Sequence, residues 1–506
     1  MTATRTVRLH ADDPLVVACA SLAPGQEISS ENVTVSRPIP SGHKVATRAI
    51  AKGENITKFG QLIGIATEDI APGDHIHVHN TAMAALAGDY QYSTDLREIP
   101  APKVGREFMG FHRKDGRVGT RNFIALCSTV NCSATVVRYI ANEINNSGEL
   151  ADYPNIDGVI ALAHGTGCGM AGSGEGYENL ERVIWGHATH PNVGAAMFVG
   201  LGCEVMQIGR LGQKYDLSDE KRFQRLTIQG TGGTKKTVDT AVAQIRERLS
   251  QINDVARAPA AAKHLMVALQ CGGSDGLSGV TANPALGYAA DLIAAEGGAG
   301  VLAETSEIYG AEHLLTRRAV SKQVGEKLLD LIKWWEDYAA RNGGEMDNNP
   351  SPGNKAGGLT NILEKSLGAA AKGGTSPLNG VYNYGEKVTT PGFNFMDSPG
   401  YDPASVTGQI ASGCNIVCFT TGRGSAFGSK PAPTIKLATN SAMYEFMEPD
   451  MDINCGDIAQ GTSTIEEKGQ EIYDEILRVA SGGQSKSEAL GLGDNEFVPW
   501  QIGATM

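Results

Sequence analysis

The sequence has few aromatic residues, no long apolar run and no excess of positive charge. Phe, Trp and Tyr make up 6% of its 506 residues, and 43 Lys and Arg stand against 56 Asp and Glu, a formal net charge of −13. Every apolar run is interrupted before the ~18 residues that a membrane-spanning helix needs. A chain this acidic is unsuited to binding nucleic acid. We therefore expect neither a membrane nor a nucleic-acid partner.

Signals for export and for disulfides are also lacking. Residues 1–13 contain neither a basic stretch nor an apolar core of the secretory type. The nine cysteines are scattered, odd in number and without a CxxC pair, which favours free thiols in a reducing compartment. We expect a cytoplasmic protein, and a homodimer because that is the commonest assembly.

Glycine, in contrast, is abundant. It accounts for 63 of 506 residues, roughly 12%, against about 7% in ordinary proteins. This excess predicts many loops that turn sharply or approach a ligand closely. The length and the 41% apolar content predict about two to four globular domains.

Four segments differ in residue pattern. Residues 1–83 hold short alternating runs between Pro-Gly, Ser-Gly and Lys-Gly turns, which predicts a small β-rich domain. Residues 84–107 lose this period and suggest a linker or an arm over a neighbour. Residues 108–255 and 256–506 alternate apolar runs with helical patterns, such as Ile465–Ala480 with a capping box from Ser463 to Glu466. The expected fold class is α/β, a small N-terminal β-rich domain followed by two α/β regions with largely parallel sheets.

Polar residues follow the predicted strands. The runs 123–127, 159–163, 265–269 and 301–303 each lead into a polar or glycine-rich stretch. The residues at these ends include Cys132, His164, Cys168, Cys271, Asp275 and Glu304. Because ligands of parallel sheets bind at the carboxyl ends of the strands, this placement predicts an enzyme.

A histidine-rich run, His75-Ile76-His77-Val78-His79, closes the first domain. Alternate residues of a strand share a face, so the imidazoles would align while Ile76 and Val78 face the core. Such histidines suit a transition metal, with His43 joining from the turn 41–44. A solvated strand face and metal-free ligand binding are the alternatives. Cysteines at strand ends likewise suit iron, zinc or a cluster, or are small residues buried in tight turns.

Two further runs carry a cation among glycines. Arg423 lies in 420–424 and Lys355 ends 349–355, an arrangement that suits a carboxylate or phosphate. No Walker motif occurs, and a GxGxxG-like run from Gly165 fails at Met170, which argues against a nucleotide. The run 115–122, which contains Arg117, is equally a plain turn or a site for polyol hydroxyls.

Together these segments resemble the altronate/galactarate dehydratase family of sugar-acid hydro-lyases. The motifs are SGHK at 41–44, HVHN at 77–80, DGRVG at 115–119, GCE at 202–204, CGGSD at 271–275, TANP at 281–284, NPSPGNK at 349–355 and TGRG at 421–424. The resemblance implies an SAF-like domain at 1–83 and a two-part dehydratase region. The histidine-rich end of the first domain looks most like the corresponding segment of altronate dehydratases.

The resemblance also implies the chemistry. We expect elimination of water from a sugar acid, D-altronate first, to give a 2-keto-3-deoxy acid, assisted by Fe²⁺ with Mn²⁺ as a substitute. An iron–sulfur cluster is left open. Alternatives are a galactarate dehydratase, a sulfolactate sulfo-lyase, whose relatives divide the same domains between two subunits, and a sugar-acid binding protein without catalysis.

Residue roles are hypotheses within that reading. We predict metal ligands among His77, His79, Cys132, Cys168 and Cys271; catalytic roles for His43, His164 and Lys355; and substrate contacts from Lys44, Arg117, Asp275, Asn283 and Arg423. Imidazole can act as acid or base near neutral pH, although His164 is equally a hydrogen-bonded histidine at a strand end. Because the net charge repels an anionic substrate, a local cationic patch is required.

Overall fold

The structure is a computed structural model that describes residues 6–85, 88–100, 102 and 104–506. Residues 1–5 of the predicted first domain lie outside the described residues. So do residues 86–87, 101 and 103 of the predicted linker.

Short antiparallel strands form the first domain, as predicted. They make sheets in the orders β1-β2-β5-β8, β3-β4 and β6-β7-β9 around a core that includes Leu15, Ile56 and Ile76. The strands are β1 (Thr6–Val7), β2 (Leu15–Ala18), β3 (Glu27–Ile28), β4 (Val33–Thr34), β5 (Lys44–Ala46), β6 (Asn55–Lys58), β7 (Gln61–Ala66), β8 (His75–Ile76) and β9 (Thr81–Ala82).

The segment after this domain lies over the third region as an arm. Tyr90 Oη donates to Glu312 Oε1 (2.7 Å), and Ser93 Oγ donates to Ala319 O (2.7 Å). The ring of Tyr92 packs on Gly325, where a side chain would overlap it.

The second region contains a four-stranded parallel sheet in the order β13-β12-β14-β15. All six residues of β12 are buried, as expected for a parallel strand covered on both faces. The elements are β10 (Glu107–His112), β11 (Val118–Gly119), β12 (Phe123–Ser128), α1 (Asn131–Asn146), β13 (Gly158–Leu162), α2 (Glu175–Ala188), β14 (Val193–Gly200), α3 (Ile208–Lys214), β15 (Phe223–Thr227), α4 (Ile228–Thr231), α5 (Thr234–Arg246) and α6 (Leu249–Asn253).

The third region contains a seven-stranded parallel sheet in the order β19-β20-β18-β17-β21-β22-β23. Its elements are β16 (Ala258–Ala261), β17 (Met266–Cys271), α7 (Ala282–Ala295), β18 (Ala299–Leu302), α8 (Glu312–Arg318), α9 (Lys322–Arg341), α10 (Pro352–Ala356), α11 (Ile362–Ala370), β19 (Leu378–Tyr382), β20 (Gly392–Met396), α12 (Asp402–Ser412), β21 (Ile416–Thr421), β22 (Thr434–Ala438), α13 (Ser441–Phe446), β23 (Ile453–Asn454), α14 (Gly456–Gln460), α15 (Ile465–Ala480) and α16 (Lys486–Ala489). Short 3₁₀ turns occupy Glu149–Asp152, Ala262–His264, Thr305–Glu307, Met346–Asn348, Ala371–Gly373 and Glu448–Asp450.

The second and third regions pack together through one apolar cluster. It joins Phe123 and Phe198 of the second region to Trp335 and Phe419 of the third. Strand β10 also pairs antiparallel with β16 across the boundary. The predicted fold class, a β-rich domain followed by two α/β regions with parallel sheets, is confirmed. Within the described ranges, no helix combines the length and hydropathy needed to cross a membrane.

Candidate functional site

Three histidines of the first domain meet at one point. His43 precedes β5, and β5 pairs with β8 so that Val45 opposes His75. His43 Nδ1 lies 2.9 Å from His75 Nε2. The ring centroid of His77 lies 4.9 Å from that of His43 and 5.3 Å from that of His75. We call His43, His75 and His77 the histidine centre.

The imidazoles of the histidine centre are held neutral. Burial and the neighbouring histidines lower the pKa of His75 to about 3. Burial and the Lys44 ammonium lower the pKa of His77 to about 4, and burial also lowers the pKa of His43. Neutral imidazole is the form that binds a metal ion.

A divalent metal fits these nitrogen atoms. One ligand atom from each histidine lies within 4.8 Å of the others, and the buried Nδ1 of His77 has no hydrogen-bond partner among the described residues. His43 Nε2 donates to Ala356 O (3.2 Å), which leaves Nδ1 unprotonated and orients the ring.

His79 lies outside this compact group because β8 ends at Ile76. The side chain of Asn80 accepts a hydrogen bond from the His77 N–H and turns the chain there. Ile76 is buried, but Val78 is 48% exposed, so the prediction that Val78 faces the core is wrong. His79 remains near the centre, with its ring 5.5 Å from that of His75.

Buried charges join the first domain to the third region. The carboxylate of Glu364 on α11 accepts from Lys44 Nζ (2.8 Å) and Lys58 Nζ (2.9 Å), and none of the three side chains is more than 2% exposed. Burial opposes ionisation, but the two ammonium groups outweigh it and hold the pKa of Glu364 well below its usual range. Lys44 therefore anchors the domain interface; its predicted contact with substrate stays a prediction.

A second group of ionisable side chains lies at the carboxyl edge of the seven-stranded sheet. Cys271 ends β17, and Glu304 and Glu307 follow the neighbouring strand β18. All three are buried, with one ligand atom from each within 4.8 Å of the others. We call Cys271, Glu304 and Glu307 the acidic centre.

Glu304 carries two signs of a functional residue. Its backbone has a φ of 71°, a strained conformation for a residue with a side chain. Both of its buried carboxylate oxygens lack hydrogen-bond partners among the described residues. Burial and the nearby Glu307 and Cys271 hold the pKa of Glu304 well above its usual value.

Two lysines balance the charge of the acidic centre. Lys372 Nζ lies 2.8 Å from Cys271 Sγ, and Lys365 Nζ lies 2.7 Å from Glu307 Oε1. Burial lowers the pKa of both ammonium groups, but the nearby Cys271, Glu304 and Glu307 raise it by more, so the pKa of each lies above its usual value. The centre thus brings opposite charges together in a dry environment, where electrostatic interactions are strong.

Asp402 also lies beside the acidic centre. It begins α12 and packs on Gly272, where a Cβ atom would overlap its carboxylate. Burial and Glu307 raise the pKa of Asp402 to about 7. A carboxyl group with that pKa can give or take a proton at neutral pH.

One segment, 349–358, touches both centres. Asn349 Nδ2 donates to Glu307 Oε1 (2.6 Å) at one end, and Ala356 O accepts from His43 at the other. Asn354 Nδ2 donates to Ser274 O (2.8 Å), which fixes the segment to the loop after β17. The half-buried Lys355 lies on this segment. Both centres therefore border one interface between the first domain and the carboxyl edge of the sheet.

Asp275 and Asn283 also lie beside this interface, with their polar atoms bonded to protein groups. Asp275 accepts from Thr439 Oγ1 (3.0 Å). Asn283 Nδ2 donates to Gly368 O (2.8 Å), and its Oδ1 accepts from Thr420 Oγ1 (2.6 Å). These bonds give both residues a structural role, and their contact with substrate hydroxyls stays a prediction.

The two predicted arginines lie at opposite ends of their strands. Arg423 follows the carboxyl end of β21, with an exposed side chain, and its N–H donates to Gly273 O (2.9 Å). Arg117 precedes β12, where its guanidinium binds Asp115 (2.6 Å) and Thr189 O (2.6 Å). The structure places Arg423 beside the interface and Arg117 away from it.

His164, Cys132 and Cys168 follow strands of the four-stranded sheet instead. His164 Nε2 donates to Ser128 O (2.9 Å), and burial lowers the pKa of His164 to about 4. Cys132 and Cys168 are exposed. The structure therefore separates these two predicted thiol ligands from the buried Cys271.

Sequence comparisons cover the three regions in turn. The chain matches the altronate/galactarate dehydratase SAF domain over 4–84, the second domain of D-galactarate dehydratase/altronate hydrolase over 110–253, and the C-terminal domain of D-galactarate/altronate dehydratase over 262–505. It is 35% identical over 485 residues to the altronate dehydratase of Escherichia coli, covering 95% of this chain and 96% of that protein. The chain belongs to the altronate/galactarate dehydratase family. The predicted family and its enzyme class, the sugar-acid hydro-lyases, are thereby confirmed.

Other members of the altronate/galactarate dehydratase family match at similar levels. The altronate dehydratase of Bacillus subtilis is 35% identical over 480 residues, covering 94% of this chain and 95% of that protein. The galactarate dehydratase (L-threo-forming) of Escherichia coli is 38% identical over 458 residues, with 88% and 86% covered.

In this member of the family, sequence reasoning missed most of the acidic centre and its partners. The missed residues are Glu307, Glu364, Lys365, Lys372 and Asp402, whereas Glu304 and Asn349 were singled out in the sequence without a role. Glu304 did carry a signal, because it directly follows a predicted strand. Lys365 and Lys372 carried no such signal in the sequence, since they lie on or after helix α11 and reach the site only through tertiary packing.

Proposed function

We propose that this protein dehydrates a sugar acid, altronate first among the candidates, to a 2-keto-3-deoxy acid, with Fe²⁺ as its metal and Mn²⁺ as a substitute. Similarity to altronate dehydratases over 95% of the chain supports the substrate class. The observation that carries the proposal is the position of the histidine centre and the acidic centre against one segment, 349–358.

The histidine centre is the better place for the ion. Its three neutral nitrogens suit a divalent transition metal. The acidic centre suits it less, because Cys271 and Glu307 already contact the ammonium groups of Lys372 and Lys365. When bound, Fe²⁺ supplies Lewis acidity, which stabilises negative charge on substrate oxygens and assists the departure of hydroxide.

The acidic centre supplies the proton transfers in this proposal. Removal of the proton beside a carboxylate is the hard step, because the charge that develops must be stabilised. The Lys365 and Lys372 ammonium groups hold the substrate carboxylate, and the carboxylate of Asp402, whose pKa is about 7, takes the proton. Glu304, whose raised pKa keeps it protonated, gives a proton to the departing hydroxyl group. Lys355 and Arg423 bind the substrate at the rim.

A substrate screen tests the reaction. The full chain is loaded anaerobically with Fe²⁺ and offered a panel of aldonates and aldarates, and the 2-keto-3-deoxy product is measured. We expect iron-dependent turnover of altronate, with Mn²⁺ giving weaker activity. Failure with every acid would overturn the proposal, and binding without product would instead indicate a non-catalytic binding protein.

The metal position is tested by replacing the histidines. His75→Ala and His77→Ala should each lose bound iron and lower turnover by about 100-fold or more, because even outer contacts of a metal site contribute about 10–100-fold. His79→Ala is the matched control and should retain iron. Unchanged iron content and turnover in the His75→Ala/His77→Ala double variant would exclude the histidine centre.

A further inference from the structure

The four-stranded sheet carries three cysteines that the proposed reaction does not use. Cys132 follows β12, Cys168 follows β13 and Cys203 follows β14, and these strands are neighbours in the order β13-β12-β14. All three thiols are exposed. Of the other six cysteines, Cys19 is half-buried and five are buried. The exposed thiols of the chain are thus gathered at one edge of one sheet.

Backbone hydrogen bonds hold the three cysteine loops together. Asn131 N donates to Thr166 O (2.9 Å), which ties the residue before Cys132 to the loop that contains Cys168. Val205 N donates to Gly167 O (3.0 Å), which ties that loop to the one that contains Cys203. Each cysteine is therefore within two residues of a bond between loops.

Gly167 is the point at which the loops touch. It has a φ of 97°, and a Cβ atom there would overlap the carbonyl group of Thr129 in the loop before Cys132. Its own carbonyl accepts from the N–H groups of Val205 and Met206. The close approach requires glycine and leaves the adjacent Cys168 beside the other two loops.

Cys132 lies in the first turn of α1, a helix of 16 residues whose first turn has no acidic residue and no side-chain cap. The partial positive charge of such a helix end favours an anionic group bound there. The neighbouring Glu204 is held in place at this edge, where its buried carboxylate accepts from Thr129 Oγ1 (2.9 Å) and from Gly202 N.

The spacing of the thiols argues against one small ion. Three thiolates on a tetrahedral zinc ion, with bonds of about 2.3 Å, would be about 3.8 Å apart. The three sulfur atoms here are not all within 4.8 Å of one another. A cluster of several irons spans a wider set of thiolates.

We propose that Cys132, Cys168 and Cys203 bind a [4Fe–4S] cluster, at a site separate from the histidine and acidic centres. Two Fe²⁺, two Fe³⁺ and four S²⁻ form the [4Fe–4S]²⁺ core. Three of its irons each form a bond to one cysteine sulfur, and the three thiol protons pass to water. The fourth iron takes water or another small oxygen ligand.

Reconstitution of the full chain tests the site. The protein is incubated anaerobically with equal amounts of Fe²⁺ and Fe³⁺ and with sulfide, and then freed of excess reagents. We expect about four acid-labile sulfides and about five irons per chain, four in the cluster and one at the histidine centre, with broad visible absorption and a paramagnetic signal after reduction. Iron without sulfide, or zinc bound in its place, would overturn the proposal.

Single variants locate the cluster. Cys132→Ser, Cys168→Ser and Cys203→Ser should each lose most of the labile sulfide and the absorption, whereas Cys19→Ser and Cys271→Ser keep both. His75→Ala should keep the cluster, which separates this result from failure of the proposed metal centre. A full complement of sulfide in all three serine variants would contradict the assignment.

Alkylation of the unmodified chain covers the case in which a serine variant does not fold. Cluster loading should protect Cys132, Cys168 and Cys203 from an alkylating reagent and leave the labelling of Cys19 unchanged. Equal labelling of the three cysteines before and after loading would also overturn the proposal.

Discussion

The four-stranded and seven-stranded sheets share a parallel topology and differ in what covers their carboxyl edges. Over the seven-stranded sheet lies the first domain, and Cys271 is buried there with carboxylates and ammonium groups. At the four-stranded sheet, Cys132, Cys168 and Cys203 face solvent. Parallel strands place reactive groups at the same edge in both cases. The cover then decides whether those groups exist as paired, buried charges or as accessible thiols.

The cover over the seven-stranded sheet depends most on Glu364. Glu364→Gln leaves the buried ammonium groups of Lys44 and Lys58 without a carboxylate, and we expect a loss of about 3–5 kcal/mol in the free energy of unfolding. Urea denaturation measures this loss. Asp239→Asn, which removes only an exposed pair with Lys235, is the control and should leave the midpoint nearly unchanged. Equal urea midpoints for the two variants would show that the buried ion pair contributes no more to stability than the exposed one.

The buried edge should also be sensitive to the loss of one ionisable oxygen. Glu304→Gln keeps the shape of the side chain but cannot exchange a proton, so kcat with altronate should fall about 100-fold, roughly 2.7 kcal/mol. The matched control is Glu386→Gln, which alters a carboxylate near Lys327 at the surface. Full turnover by the Glu304 variant would show that the acidic centre is structural.

The open edge should tolerate change before any cluster is loaded. Cys132→Ser, Cys168→Ser and Cys203→Ser should each shift the stability of the cluster-free protein by no more than about 0.5 kcal/mol, because exposed side chains contribute little to it. In the same protein, mass spectrometry after brief alkylation should find these three cysteines labelled before Cys271. Labelling of Cys271 at the same rate would show that the first domain leaves its edge open.

Much of the fold could be predicted from the sequence, because covered parallel strands are short apolar runs. The predicted strand 123–127 corresponds to Phe123–Ser128, and helix Ile465–Ala480 has its predicted bounds. The predicted position of the capping box was wrong by one residue, since the box runs from Thr464 to Glu467. Thr464 has the extended backbone that a capping residue needs, and Ser463 precedes it.

The candidate site could be predicted only where its residues are neighbours in the chain. The run from His75 to His79 predicts imidazoles on one strand. The turn at Asn80 determines which of them contact His43, and the sequence pattern does not show that turn. Glu304 and Lys372 come from different elements, and only the packing of the turn Ala371–Gly373 against β17 and β18 brings them together. No local sequence pattern predicts a contact between residues of two such distant elements.

The salt bridge between Lys44 and Glu364 joins residues 320 positions apart. During translation, the ribosome therefore finishes the first domain long before the carboxylate that neutralises its two lysines has been made. Ala356, which orients His43, is synthesised almost as late. Because domains of long chains fold largely as they emerge, the first domain folds with hydrated lysines and docks near the end of synthesis. The three histidines of the histidine centre are thus synthesised early, and the carbonyl group that orients His43 is added only when the first domain docks.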